Sequence, residues 1–233
     1  MADARDAPRK YPLDNPVLIE AIRGDAVESF HKGSFAVVDA HGRVVLSAGD
    51  TDAMVYPRSA IKPIQALALV ETGAARAFGL GHAALALACG SHNGEITHTD
   101  IVGNWLEKID CKASDLVCGP SLPWTNEAKA ILAENKQKPT TLHDNCSGKH
   151  AGFLTIARHL GHPILGYNRS DHPVQQRIIG IIEQMTGMDL FDAPKAMDGC
   201  GVPTIAVPLG NLALAMARLG DPHDQPEDRQ KAC

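Results

Sequence analysis

The sequence predicts an α+β domain, an antiparallel sheet with helices packed on it. Three observations carry this. The first sixty residues are short Val-, Ile- and Phe-rich segments broken by glycines. From Ser59 onward the texture turns Ala- and Leu-rich with helical spacing, so strands precede helices instead of alternating with them. Over 233 residues, 44% hydrophobic and 21% charged content suits a globular chain with a sizeable core.

Taken in order, residues 1–15 are polar and read as an N-terminal tail, and residues 16–233 as one domain. "PVLIEAIRG", "AVESFHKG", "SFAVVDA" and "RVVLSAG" are four strands of a meander, punctuated by Gly24, Gly33, the His41-Gly42 turn and Gly49. "SAIKPIQALALVETG" is a helix with Pro63 in its first turn and Gly73 at its stop. Further helices follow in "GHAALALA", "THTDIVGNWLEKI", "TNEAKAILAENK", "SGKHAGFLTIARHLG" and "HPVQQRIIGIIEQMTG". Thr97, Thr125 and Ser147 are candidate N-caps, and Gly161 and Gly187 candidate stops. "GVPTIAVPLGNLALAMARLG" reads as a short strand and a helix, and "GDPHDQPEDRQKAC" as a polar, turn-forming tail.

The bulk numbers exclude several function classes. A net charge of −5 with scattered basic residues gives no electrostatic case for nucleic acid or an anionic membrane surface. No apolar run approaches a membrane span, and the N-terminus lacks a signal-peptide core, which places the protein in the cytoplasm. Six cysteines in such a chain are core residues with a metal-binding or catalytic subset rather than a disulfide framework.

Four segments carry chemistry. In "PRSAIKP", Ser59 and Lys62 stand three apart at a helix start and share a face. There a desolvated lysine has a lowered pKa and serves as base to a serine; the plainer roles are an N-cap and a solvated lysine. Ser29-Phe30-His31-Lys32 repeats the pattern inside a strand, where residues three apart face opposite sides and cannot meet. "CGSHNGE" crowds Ser91, His92, Asn93 and Glu95 into a turn, either as reactive groups or as a loop satisfying its own backbone. "LHDNCSGKHAGF" sets Cys146, Lys149 and His150 at a helix start without the spacing of a P-loop. Cys146 and His150, with Cys200 of "DGCGVPT", are candidate metal ligands, or Cys146 and Cys200 are core residues. Asp198 sits in the turn before Cys200, where it faces a ligand or caps the turn.

Taken together, "PRSAIKP", "SHNGE", "DNCSGKHAG" and "DGCGVPT", in that order, resemble the rhizobial-type (class 3, thermolabile) L-asparaginases. The resemblance implies a serine β-lactamase-like architecture, in which a Ser-x-x-Lys helix packs against an antiparallel sheet. It implies Ser59, Lys62 and Ser91 as catalytic, Arg58, His150 and Asp198 at the substrate pocket, and Cys146, Lys149 and Cys200 as ligands of a Zn2+ beside it. The implied activity is L-asparagine hydrolysis to L-aspartate and ammonia through a Ser–Lys acyl-enzyme, in a homodimer. It also implies a second catalytic lysine downstream of Cys233, so the chain is expected to be a C-terminally truncated member. The alternatives are another Ser-x-x-Lys acyl-transfer enzyme, of glutaminase or penicillin-binding type, or an inactive homologue that binds an amino acid or a metal. The Ser-Asp-Asn and Lys-Thr-Gly segments of the β-lactam enzymes do not occur.

Overall fold

The computed structural model describes residues 15–233; residues 1–14, most of the expected tail, lie outside the described residues. The four expected strands form where their β-branched residues stand: β1 (Val17–Arg23), β2 (Ala26–Lys32), β3 (Phe35–Val38) and β4 (Val44–Ala48). They do not join into one sheet. β1 pairs with β2 and β3 with β4 as separate antiparallel hairpins. Two further antiparallel pairs join β5 (Met54–Val55) to β8 (Val207–Pro208), and β6 (Lys195–Met197) to β7 (Pro203–Ile205). The continuous sheet expected from the sequence is therefore corrected to four two-stranded ones among the described residues. Each hairpin closes through a local turn such as Gly24-Asp25, with Gly24 at φ 60°, and nothing local brings a third strand. Apolar residues of both hairpins, Ile19, Phe30, Val44 and Val45 among them, stay exposed.

Helices supply the core. They are α1 (Lys62–Glu71), α2 (Ala74–Ala77), α3 (His82–Cys89), α4 (Ile96–Lys108), α5 (Asn126–Glu134), α6 (Ser147–His159), α7 (Pro173–Thr186), α8 (Leu209–Gly220) and α9 (Glu227–Ala232). α6 is buried on every side from Ser147 to Ala157, and its polar residues Ser147, Lys149, His150 and Thr155 are taken up by internal partners. α1 packs against α3, α6 and α7, and Ile64, Leu67 and Leu69 fill the space between them. The indole of Trp105 on α4 donates to Thr155 Oγ1 on α6 at 2.9 Å, so the largest core side chain also satisfies its polar atom. No helix of the described residues is long and apolar enough to cross a membrane.

Boundaries shift for local reasons. α4 starts one residue before Thr97, because Glu95 caps it reciprocally with His98. Cys146, not Ser147, is the N-cap position of α6, and Asp144 Oδ1 accepts from the Cys146 N–H at 2.8 Å. Thr125 and Gly187 act as expected, the first accepting from Ala128 N–H and the second at φ 70°. The polar C-terminal segment is not frayed. It forms α9, whose buried Arg229 pairs with Glu71 at the end of α1 and donates to Gln184 Oε1 at 2.9 Å.

Candidate active site

The β5–β8 pair delivers the chain to Pro57, and a 3-10 turn over Arg58–Ile61 precedes α1. Ser59 therefore stands on the 3-10 turn rather than on the α-helix, while Lys62 opens α1. Arg58 adopts φ 51°, a left-handed conformation that costs an L-residue about 1 kcal/mol or more and that clusters at functional positions.

Ser91 arrives from the other side, in the loop after α3. Its hydroxyl lies 2.9 Å from Ser59 Oγ, and Lys62 Nζ lies 2.8 Å from Ser91 Oγ. The three make one line, lysine to Ser91 to Ser59. Lys62 is thus bonded to the serine 29 positions away, and its tie to the serine three positions away runs through that one. Both serines are exposed, whereas Lys62 is 1% exposed. Nζ also donates to the carbonyls of Gly90 at 2.9 Å and Asn145 at 3.3 Å. Burial pulls the Lys62 pKa below its ordinary value, opposed by the neighbouring Cys146 sulfur. The two carbonyls can only accept. They take the two N–H bonds of a neutral amine and leave its lone pair facing Ser91. When Lys62 is charged, its third N–H points at Ser91 and the hydroxyls turn toward Ser59; when it is neutral, both can turn the other way. The decoy pair Ser29 and Lys32 is held in β2 opposite Ala21 and Val17.

The Ser91 loop is braced from beneath. His92 Nδ1 accepts from Gly94 N–H at 3.1 Å, so its proton sits on Nε2 and is donated to Ser147 Oγ at 2.8 Å. Ser147 donates onward to the Leu142 carbonyl at 3.0 Å. Burial, with His98 stacked beside the ring, holds the His92 pKa down to about 4, so the imidazole is neutral. Gly94 has φ 72°, and a Cβ there would lie 2.7 Å from the His143 carbonyl oxygen, so only glycine lets the two loops meet.

Arg58, next in the chain to Ser59, pairs with Asp198. Arg58 Nε lies 2.8 Å and Nη2 2.7 Å from Asp198 Oδ1, with the arginine side chain 64% exposed. Asp198 sits in the β6–β7 connection, which the Asp198 N–H to Val202 O bond closes and Asn168 ties down at Gly201.

Cys146, Lys149 and Cys200 converge under the serines. Lys149 Nζ is 3.0 Å from Cys200 Sγ, and all three residues are buried. The Cys146 thiol, with the Lys149 and His150 side chains, favours a Cys200 thiolate and holds its pKa well below the usual thiol range. Two soft sulfurs and an amine form a donor set suited to Zn2+, and these residues could hold one. His150 is fully buried beside them. The Tyr167 hydroxyl accepts from Val117 N–H at 3.1 Å and shares a hydrogen bond with His150 Nδ1 at 2.6 Å. His150 Nε2 has no hydrogen-bond partner among the described residues. Of the two nitrogen candidates, Lys149 is the one hydrogen-bonded to Cys200.

Sequence reasoning did not find Tyr167, or the Gly90 and Asn145 carbonyls that hold Lys62. Backbone acceptors leave no mark in side-chain spacing, and Tyr167 lies outside the four motifs.

Two serines and a buried lysine in one hydrogen-bonded line, on an α+β chain, define a serine–lysine site. The family model of L-asparaginase II matches residues 19–233, and the chain belongs to that family, which makes it an asparaginase-type amidohydrolase. Among curated proteins none matches the chain.

Proposed function

We propose that this chain hydrolyses the side-chain amide of L-asparagine through a serine–lysine acyl-enzyme, with Ser59 as nucleophile. The continuous line from Lys62 Nζ through Ser91 Oγ to Ser59 Oγ carries the reading. Ser59 is the exposed end of that line and follows directly on Arg58, while Ser91 is bonded on both sides. The substrate α-carboxylate meets the exposed edge of the Arg58 guanidinium, and its α-ammonium meets Asp198.

Neutral Lys62 draws the Ser91 proton as Ser91 draws that of Ser59, and Ser59 Oγ attacks the amide carbon. N–H groups at the start of the 3-10 turn, which its own ladder leaves free, suit the developing oxyanion. The tetrahedral intermediate collapses, the C–N bond breaks, and the relay returns the proton to the nitrogen, releasing ammonia. Water then adds to the Ser59 ester by the same relay and frees L-aspartate. Cys146, Lys149 and Cys200 would hold Zn2+, which would tie α6 to the β6–β7 loop beneath Ser91, with His150 buried beside it.

Ammonia release from L-asparagine, with L-glutamine alongside, by the chain and by Ser59→Ala and Ser91→Ala tests this. Both substituted side chains are exposed, so the fold survives. Release lost in both variants is expected; release maintained in either removes that serine from the mechanism.

A further inference from the structure

At the β3–β4 turn and the segment between α8 and α9, His41, His223 and Asp224 come together. His41 Nδ1 lies 3.2 Å from Asp224 Oδ2 and His223 Nε2 lies 3.0 Å from Asp224 Oδ1. The two rings meet edge to face with centroids 4.8 Å apart. One ligand atom from each residue falls within 4.8 Å of the other two. Around a tetrahedral zinc with bonds of about 2.0–2.1 Å, ligand atoms stand about 3.3 Å apart. Each histidine nitrogen already stands near that spacing from an Asp224 oxygen, His41 from Oδ2 and His223 from Oδ1, and side-chain rotations at this exposed site bring both nitrogens and one oxygen around a single ion.

The supports are fixed. The turn carrying His41 is held by Asp39, whose carboxylate accepts from His41 N–H at 3.0 Å and Arg43 N–H at 2.9 Å. The segment carrying His223 and Asp224 is held by Gln230 Nε2, which donates to the carbonyls of His223 at 3.1 Å and Gln225 at 2.7 Å. Asp221 adds the outer partner that metal-ligating histidines commonly have. Its Oδ1 lies 3.0 Å from His223 Nδ1 and holds the proton there, so that a metal takes Nε2 by displacing the proton that Nε2 shares with Asp224.

We propose that His41 Nδ1, His223 Nε2 and an Asp224 oxygen form a divalent transition-metal site, with water in the fourth position. It takes Zn2+ or a similar N/O-binding ion and clamps the β3–β4 turn to the segment between α8 and α9. The site is separate from Cys146, Lys149 and Cys200, and it stands whether or not the chain hydrolyses asparagine.

The test is zinc stoichiometry of the full chain by equilibrium dialysis after chelator stripping, compared with His41→Ala/His223→Ala. All three side chains are at least 43% exposed, so the double variant keeps its fold, which circular dichroism verifies. The double variant is expected to bind one zinc fewer per chain, and Asp224→Ala to weaken that one site at least tenfold. Equal stoichiometry in parent and double variant overturns the site. A cysteine-held zinc cancels in the difference.

Discussion

At the scale of single residues, the proposed chemistry turns on Lys62. The sequence shows a lysine three residues after a serine, as its base or as a solvated residue, and the resemblance implies the first. It did not show that this lysine would reach Ser91, because the pairing spans 29 positions and depends on how α3 packs on α1. A buried lysine with a lowered pKa serves as base only when neutral, so kcat/KM is expected to climb as pH rises through that lowered pKa. Lys62→Arg keeps the positive charge at every accessible pH. Its rate should fall by roughly 10²–10⁴-fold and lose the climbing limb, read from ammonia release across pH. A variant that keeps the limb would place the titrating base elsewhere. Arg58 and Asp198 illustrate the limit of local reading, since their 140-position separation leaves no periodic trace.

At the scale of elements, the site exists because α3 and α6 approach closely. A Cβ on Gly148 would stand 2.5 Å from the Leu87 carbonyl oxygen, so this glycine lets the start of α6 lie against the end of α3. That contact sets Cys146 and Asn145 under the Ser91 loop, and His92 with Ser147 rivets the two together. Helix spacing made both helices legible, with α6 ending two residues short of Gly161 and α3 lying within a residue of its expected range. The glycine at the crossing was legible only as a motif letter. His92 yields a stability prediction with a definite sign. Its pKa is about 4 in the fold and about 6.5 unfolded, so between those values the unfolded chain binds the extra proton. Stability is whole above pH 6.5 and is lost as pH falls toward 4, by up to about 3 kcal/mol. Urea melts at pH 7 and pH 4.5 should show the loss in the parent and a smaller one in His92→Gln. An equal loss in both would acquit His92.

At the scale of the whole molecule, the order of strands before helices predicted the α+β class, and the small antiparallel pairs with packed helices agree with it. The single sheet was not legible, because each hairpin is fixed by its own turn whereas the pairing of hairpins depends on contacts far apart in the chain. α9 is the opposite case. Its polar sequence read as a tail, yet Arg229 docks it onto Glu71 and Gln184 and so onto α1, the helix that carries Lys62. Removing one partner of a buried pair strands the other, so Arg229→Ala should cost roughly 3 kcal/mol in urea unfolding. The double change Glu71→Gln/Arg229→Met should recover most of it. A cost near zero would mean that α9 is only loosely held.

The central claim is that Lys62, Ser91 and Ser59 act as one relay ending on Ser59. The most direct measurement is acid quenching of the chain with an activated β-ester of L-aspartate, whose acylation outruns deacylation, followed by peptide mapping of the acyl group. The relay predicts a β-aspartyl ester on Ser59. An ester on Ser91, or on neither serine while aspartate is still released, contradicts it.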